Sequence, residues 1–263
     1  MRITRAEKEA RHGFEAEARV TSPACEFYWE PECDSTMDEA KCLVRQGVAL
    51  PFLYGVDFQR SGRGRKGHAW EHVGNSLAIT IALDSFIHAH ACTGLSLVVG
   101  MSIVKVLHRY GIELQLKWPN DLLDSESYKK IGGILVELIE FEQQQVPLVG
   151  VGLNFGDTPK DVPEAGALQI EASGPTFAGE LTAGLLTDVE RFRESGFAPL
   201  RNEFIKCLAF VGESIEFFVG DEHHEGVFKG ISAEGWLVVE EDGQEQAYHT
   251  AEYLRRREHV AGI

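Results

Sequence analysis

A glycine-rich loop between two strand-like runs places the strongest limit on the fold of this chain. The loop, Gly62 to Gly67 (GRGRKG), has the G-x-G-x-x-G spacing of a dinucleotide-binding turn, which must lead from a strand into a helix. Residues 51–58 read as the preceding strand, but residues 68–75 lack a helical period and lead into a second strand-like run, 76–83. A Rossmann turn is therefore disfavoured.

The charge of this loop indicates what it binds. The phosphate-loop pattern G-x-x-x-x-G-K-[ST] fails here, because His68 and Ala69 stand at the lysine and hydroxyl positions. Instead, Arg63, Arg65 and Lys66 supply positive side chains, and guanidinium groups bind phosphate and carboxylate oxygens in pairs. The loop predicts a small-anion site, with a solvated basic turn as the alternative.

The overall charge restricts the partners. With 25 Lys and Arg against 41 Asp and Glu, the formal net charge is −16. Because neutralisation of phosphates by Lys and Arg supplies most non-specific affinity for nucleic acid, we expect no DNA binding and only a local basic site.

Cysteine and hydropathy patterns suggest the compartment. The 5 cysteines are scattered and include no C-x-x-C pair, which disfavours a disulfide framework and a zinc site. No run of about 18 apolar residues occurs, and residues 1–19 lack the apolar segment of a signal peptide. We expect a cytoplasmic protein that does not bind membranes.

The order of helix and strand patterns predicts an α+β fold. Residues 1–25 are a polar N-terminal extension, too short for a helix-turn-helix domain. Strand-like runs and a few helices from 26 to 210 predict a mixed, mostly antiparallel sheet with flanking helices. Short alternating segments between glycines from 211 to 263 predict a small β-barrel domain. The predicted helices cover residues 36–46, 93–110, 177–195 and 198–208.

Four other stretches carry polar groups or close-approach glycines at predicted strand ends or helix starts. Rigid elements can present such groups to one cleft. The stretches are Asp34 to Thr36 (DST), Lys117 to Asp121 (KWPND), Lys129 to Glu137 (KKIGGILVE) and Gly150 to Asn154 (GVGLN).

Together with the loop, these stretches resemble the biotin protein ligases. The catalytic domain of that family carries a G-R-G-R-x-G loop, a K-W-P-N-D segment, a K-x-x-G-[IV]-L-x-E strand and a G-[IVA]-G-[IL]-N strand in this order. The resemblance covers about residues 26–260 and implies a class II aminoacyl-tRNA synthetase/biotin synthetase-like fold with an SH3-like C-terminal domain. It also implies the single-function form, without the DNA-binding domain of the repressor members.

The resemblance implies a two-step reaction. Biotin carboxylate attacks the α-phosphate of ATP to give biotinyl-5′-adenylate, and a lysine of a biotin carboxyl carrier domain then attacks this mixed anhydride. Both steps gather negative charge on oxygen, so positioned cations are the main catalytic device needed. ATP and biotin are the implied substrates, Mg²⁺ the implied metal ion and the carrier domain the implied partner, while dimerisation is left open.

The family's motifs also imply roles for individual residues. Lys130 and Arg65 match catalytic positions, and Asp121 matches a magnesium ligand. The implied biotin site comprises Ser35, Thr36, Gln59, Gly62, Arg63, Lys130, Gly133 and Gly150. The implied ATP and adenylate site comprises Arg63, Arg65, Trp70, Lys117, Asn120, Asp121 and Asn154.

Structural alternatives accompany these roles. Ser35 and Thr36 would also serve as a helix cap, Trp70 as a core residue, and the Pro-Asn-Asp sequence as a turn. Two positions depart from the family pattern, since Met37 replaces the usual Asn and His68 stands where Arg or Lys is common. The first removes one expected polar contact, and the second makes the charge of the loop depend on pH.

Three other functions fit parts of the pattern. A lipoate or octanoate ligase needs no partners for a ureido ring, so Gln59, the two-arginine loop and the C-terminal barrel favour biotin. A non-catalytic biotin-binding homologue would not need both Lys117 and Lys130. A metal site at His88 and His90, with His223-His224 as partners, lacks the supporting acid or cysteine pattern.

Overall fold

The structure, a computed structural model, describes residues 25–74, 76–84, 92–170 and 174–257. Within these ranges the strands are β1 (Glu26–Cys33), β2 (Phe52–Gln59), β3 (Gly62–Arg63), β4 (Ala69–Trp70), β5 (Leu77–Ala82), β6 (Leu114–Lys117), β7 (Asp121–Asp124), β8 (Lys130–Phe141), β9 (Gln144–Leu153), β10 (Ser214–Val219), β11 (Glu222–Ile231), β12 (Leu237–Glu241), β13 (Gln244–Tyr248) and β14 (Glu252–Arg256). The helices are α1 (Thr36–Arg45), α2 (Cys92–Arg109), α3 (Gly174–Ser195) and α4 (Arg201–Ile205), with 3-10 turns at Arg65–Gly67 and Ala198–Leu200.

The larger of the described sheets has 7 strands in the order β1-β2-β5-β9-β8-β7-β6. Only the β1–β2 pair of this sheet is parallel within the described residues, and the other neighbouring strands pair antiparallel. The prediction of a mixed, mostly antiparallel sheet is confirmed.

Alternation of large and small side chains gives this sheet two different faces. Large residues of β5 and β9 join the main hydrophobic core, to which helices α2 and α3 also contribute: Leu77, Ile79, Ile81, Val149, Val151 and Leu153. On the opposite face, helix α1 packs Met37, Ala40 and Val44 into a smaller core. The residues of β5 and β9 on that face include the small residues Ala78, Gly150 and Gly152.

A second, 5-stranded sheet follows, in the order β13-β12-β11-β10-β14. Its strands pair antiparallel, which confirms the predicted small β domain. Its apolar residues Ile215, Phe217 and Phe228 belong to the same hydrophobic core as the larger sheet. Trp118 Nε1 also donates a hydrogen bond to the Gly235 carbonyl at 2.9 Å. The two parts of the chain are thus packed together.

The predicted helices are present, with one shortened. Residues 198–208 form a 3-10 turn and the short helix α4, because the chain then pairs with β6: Leu116 N–H donates to the Cys207 carbonyl at 2.7 Å. The strands β3, β4, β7 and β14 were not predicted. None of the described helices is long and apolar enough to cross a membrane.

Candidate active site

A cavity of about 340 Å³ lies on the face of the larger sheet that carries α1. Its floor follows the register of the strands: Lys117 faces Asp121, Asp121 faces Gly133, Gly133 faces Gly152, and Gly152 faces Ala78. Residues in register across a sheet point to the same side. The KWPND, KKIGG and GVGLN stretches therefore meet in one row, with the charged residues at one end.

A polar cluster lies at the other end of the cavity. The backbone N–H and the hydroxyl of Thr36 donate to Gln59 Oε1 at 2.8 and 3.1 Å. Thr80, which is 0% exposed, donates its hydroxyl to Thr36 Oγ1 at 2.9 Å. Ser35 precedes α1, but its side chain makes no cap hydrogen bond, and it lines the cavity. Hydroxyl and amide groups are thus concentrated where an uncharged polar ligand group would find partners.

Asp121 joins the two lysines at the charged end. Lys130 Nζ lies 2.7 Å from Asp121 Oδ1, and Lys117 Nζ lies 3.5 Å from Asp121 Oδ2. A carboxylate between two ammonium groups holds both in place and offsets their repulsion. The lysines are therefore positioned before any ligand binds.

Asn120 connects the loop to the sheet. Its side-chain amide donates to the Ile134 carbonyl at 3.0 Å, and its Oδ1 accepts a hydrogen bond from Arg65 Nη1 at 3.3 Å. Burial lowers the pKa of the Arg65 guanidinium, and the nearby Asp121 carboxylate opposes this shift. Arginine remains charged in proteins despite such shifts, so Arg65 adds a third cation to the charged end.

Two ion pairs connect the rest of the loop to neighbouring elements. Arg63 pairs with Asp38 of α1, and Lys66 pairs with Glu252 of β14. Lys66 has a φ of 53°, in the left-handed region that side chains rarely adopt. These contacts attach the loop to α1 and β14, and its residues 63–66 line the cavity.

Trp70 rests on the glycines of the floor. A Cβ on Gly152 would lie 2.5 Å from the indole ring, so only glycine permits this contact. The indole N–H has no hydrogen-bond partner among the described residues. A flat aromatic surface therefore lies beside the cations.

Two predicted ligand residues do not line this cavity. Gly62, the first residue of the loop, packs instead against Gln59 and Trp70, because an added Cβ would lie 2.5 Å from Gln59 Nε2 and from the Trp70 carbonyl oxygen. Asn154 is buried below the strand end and donates its amide to the Gly166 carbonyl at 2.9 Å. The other predicted site residues all line the cavity: Ser35, Thr36, Gln59, Arg63, Arg65, Trp70, Lys117, Asn120, Asp121, Lys130, Gly133 and Gly150.

The cavity also contains residues that the sequence reasoning missed. Thr80 could have been found, because it interrupts an apolar strand on the same face as Ala78. Residues 251–254 of the C-terminal domain have no sequence pattern that would place them at the cavity, since only the packing of the two sheets brings them there. Met37, noted as a departure, is buried in the lining next to Gly150. His68 lines the cavity from the loop.

Other chemistries receive no support from the described part of the chain. Burial raises the pKa of the Cys33 thiol to about 12, so this residue beside the Asp-Ser-Thr stretch is not a thiolate nucleophile. Within the described ranges, no three His, Cys, Asp or Glu side chains are grouped to hold a metal ion. His88 and His90 lie outside those ranges. His224 stacks on Phe217, with ring centroids 5.2 Å apart.

Solved structures with the same architecture include biotin protein ligases. The ligase from Aquifex aeolicus in complex with biotin and ATP superposes with a TM-score of 0.74 at 24% identity, covering 88% of this chain and 99% of that one. The enzyme from Helicobacter pylori with bound biotinylated ATP gives a TM-score of 0.61 at 23% identity, covering 85% and 99%. The fold, including the SH3-like C-terminal domain, is therefore that of biotin protein ligases.

Sequence relatives identify the family. The biotin–[acetyl-CoA-carboxylase] ligase of Paracoccus denitrificans is 30% identical over 214 residues, which are 74% of this chain and 86% of that protein. The bifunctional ligase/repressor BirA of Salmonella typhimurium is 30% identical over 198 residues, and the chain spans 61% of its length. Residues 34–154 match the biotin/lipoate A/B protein ligase family. The chain belongs to this family.

Proposed function

We propose that the protein activates biotin with ATP and transfers the biotinyl group to a lysine of a biotin carboxyl carrier domain. The observation that carries this proposal is the row of in-register residues from Lys117 through Asp121, Gly133 and Gly152 to Ala78. The Lys130–Asp121 ion pair lies at one end of this row. Thr80, which bonds to Thr36, lies two residues from Ala78 at the other end. A ligand with an uncharged polar ring, an apolar chain and a terminal carboxylate matches this order of groups.

In the first step, a carboxylate oxygen of biotin bonds to the α-phosphorus of ATP. The bond from this phosphorus to the bridging oxygen of the β-phosphate breaks, and pyrophosphate leaves with the electron pair. Lys130 and Arg65 would stabilise the charge that collects on the phosphoryl oxygens, and Lys117 would bind phosphate. Trp70 would support the adenine side of the nucleotide.

In the second step, the amine of the carrier lysine bonds to the biotinyl carbonyl carbon. The carbon–oxygen bond to the phosphate breaks, AMP leaves with the electron pair, and the amine loses a proton to solvent. The loop that carries Arg63 and Arg65 would exclude water, because the mixed anhydride is readily hydrolysed.

Mg²⁺ would enter with the nucleotide. Magnesium in nucleotide sites is held by one or two carboxylates together with substrate phosphates, and Asp121 is the carboxylate of the described cavity lining that faces both lysines. This donor set fits a metal ion that is bound mainly by phosphate oxygens, so Asp121 is the proposed protein ligand.

The proposed setting of the reaction is the cytoplasm. Thiols stay reduced there, and Cys25, Cys33, Cys42 and Cys207 are free. We also propose that the protein does not bind DNA, because its net charge of −16 would repel the phosphate backbone.

An alternative acyl group is a lipoyl or octanoyl chain, which Met37 favours because it adds apolar surface to the cavity beside Gly150. Octanoate would gain from this surface but would leave Thr36 and Gln59 without ligand partners. If the alternative is correct, substitution of Gln59 should not raise the KM for the acyl substrate.

The decisive experiment measures acyl-dependent pyrophosphate release and transfer to purified carrier domains with biotin, lipoate and octanoate. We expect turnover with biotin and a rise in the KM for biotin in Gln59→Ala, because a ureido ring would lose a partner. Turnover with octanoate but not biotin would favour the alternative. Biotin binding without pyrophosphate release would identify a non-catalytic homologue.

A further inference from the structure

A β-bulge in β14 presents an exposed tyrosine at the cavity. Glu216 of β10 faces Arg255, and Phe218 faces Glu252, so two steps along β10 match three steps along β14. Within this bulge Tyr253 has a φ of 52°. Glycine is the usual residue in such a left-handed bulge position, because it has no Cβ to strain the backbone.

The surroundings hold this unfavourable conformation in place. Ala251 and Leu254 on either side are buried in the core, and Glu252 pairs with Lys66 of the loop. Tyr253 itself lines the cavity and remains 68% exposed, so burial of its ring does not offset the backbone strain. Backbone strain at a largely exposed residue beside a cavity points to a function.

The aromatic surface continues beyond the cavity. The ring of Tyr253 meets Phe218 edge-on, with centroids 6.2 Å apart and planes at 89°. Phe218 is 37% exposed and does not line the cavity. A small ligand inside the cavity could reach Tyr253 alone, whereas a larger partner would cover both rings. Tyrosine and phenylalanine are enriched at the buried centre of protein interfaces.

We propose that Tyr253 and Phe218 form a docking surface for the protein domain that carries the acceptor lysine. This inference rests on the proposed function, in which a folded domain must bring a lysine to the cavity and therefore must cover its mouth. Bulges beside active sites re-aim a side chain, and here the bulge directs a tyrosine to the boundary between cavity and outer surface. The same surface would not be needed for adenylate formation.

The test compares variants of the full chain with the carrier domain of a biotin-dependent acetyl-CoA carboxylase as acceptor. We expect Tyr253→Ala and Phe218→Ala to raise the KM for the carrier at least about tenfold, the scale of a lost interface anchor. Hydroxylamine, which captures the adenylate without docking, should react as before in Phe218→Ala. Trp236→Ala removes an aromatic of the same domain that is 40% exposed and outside the cavity lining, and should leave the KM unchanged.

Folding and nucleotide effects are separated by two further measurements. Tyr253→Gly should bind the carrier domain as weakly as Tyr253→Ala. Its unfolding temperature should equal or exceed that of Tyr253→Ala, since glycine relieves the backbone strain at this position. An unchanged carrier KM in both alanine variants would overturn the docking proposal, and a raised KM for ATP alone would assign Tyr253 to the nucleotide.

Direct binding keeps this result distinct from failure of the proposed function. Absence of biotin-dependent pyrophosphate exchange in the natural sequence would reject the activity. Surface plasmon resonance of the immobilised full chain with the carrier domain would still decide docking, and either no binding or equal binding by Tyr253→Ala would reject it.

Discussion

Lys130 is the residue for which a single substitution should most reduce activity. Asp121 holds its ammonium group at 2.7 Å, in the row that carries Lys117 and Gly133. Removal of one positioned charge donor typically costs about 10²–10³ in rate. We predict this loss of biotin-dependent pyrophosphate release for Lys130→Ala. Lys129→Ala is the matched control, because that neighbouring lysine is exposed and does not line the cavity. Near-normal release by a folded Lys130→Ala variant would contradict the assignment.

Gly152 tests the contact between the floor and Trp70. In Gly152→Ala the new methyl would overlap the indole ring, and overpacking of this kind costs about 1–3 kcal/mol of stability. We predict this loss in urea denaturation, together with a raised KM for ATP because the ring must move. Gly184→Ala is the control, since its Cβ would meet Val106 at an ordinary 3.5 Å. Equal stability of the two variants would show that Trp70 adjusts freely.

The position of part of the cavity lining could be anticipated from the sequence motifs, while the roles of these residues stay predictions. The residues Lys117, Asp121 and Lys130 were named from short patterns; strand register pairs Lys117 with Asp121, and an ion pair joins Lys130 to them. Gly62 and Asn154 also belong to these motifs but do not line the cavity, since Gly62 contacts Gln59 and Asn154 bonds to Gly166. A motif does not state which way each of its residues faces. Tyr253 was beyond sequence reasoning, since its position depends on contacts between distant strands.

At the scale of elements, the Gly62 to Gly67 loop is the part expected to retain the intermediate. Arg65 joins it to Asn120, and a bidentate guanidinium contact to phosphate would anchor the closed loop. We predict that Arg65→Gly still forms the adenylate but releases it, so that lysines of a bystander protein become biotinylated. Arg60→Ala is the control, because Arg60 precedes the loop, pairs with Asp34 and does not line the cavity. Labelling confined to the carrier lysine would show that another group retains the intermediate.

Helices α2, α3 and α4 meet at a charged cluster with a predictable pH response. Hydrogen bonds from Arg191 and Lys105 lower the pKa of Glu203 to about 2. A carboxylate with a lowered pKa contributes stability that is present above its unfolded pKa and is lost as the pH falls through the folded value. The relevant window therefore runs from about 4.3, the usual glutamate value, down to about 2.

We predict that Glu203→Gln destabilises the protein at pH 7 by less than about 1 kcal/mol, because the exposed pair is screened by solvent. The difference from the natural sequence should shrink as the pH falls through that window. Chemical denaturation at pH 7 and pH 3 would measure it. Glu190→Gln is the control, because Glu190 is exposed and its ion pair with Arg193 on the same helix is longer, at 3.6 Å. A difference independent of pH would reject the electrostatic origin.

Element prediction succeeded where apolar periodicity was long and failed where pairing was decided at a distance. The strong helix expected over 93–110 is observed as Cys92–Arg109. The predicted helix over 198–208 ends early because Cys207 and Ala209 bond to Leu116 of β6 instead. Strands β7 (DLLD) and β14 (EYLRR) do not alternate between apolar and polar residues, and both are fixed by pairing with neighbouring strands.

At the scale of the whole molecule, the two sheets share one hydrophobic core. Phe217 and Phe228 of the second sheet belong to the same cluster as Leu97 and Phe204. A Cβ on Gly235, which has a φ of 85°, would lie 2.8 Å from Leu97, so the two parts approach closely. Residues 251–254 also complete the cavity lining. We therefore expect the parts of the chain on either side of the proposed boundary near 211 to fold as one unit.

This shared core predicts the result of truncation. Removal of residues 211–263 should expose Leu97 and Phe204 to water, and about 25 cal/mol would be lost per Å² of apolar surface left uncovered. We expect the shortened chain to lose both its cooperative unfolding transition and biotin-dependent pyrophosphate exchange.

Trp118→Phe is the milder test, because it removes only the indole hydrogen bond to the Gly235 carbonyl, about 0.5–1.5 kcal/mol, while keeping an aromatic ring. This variant should unfold in one transition at a lower temperature. A truncated chain that retains exchange, or a Trp118→Phe chain that unfolds in two steps, would show instead that the larger sheet forms an independent catalytic domain.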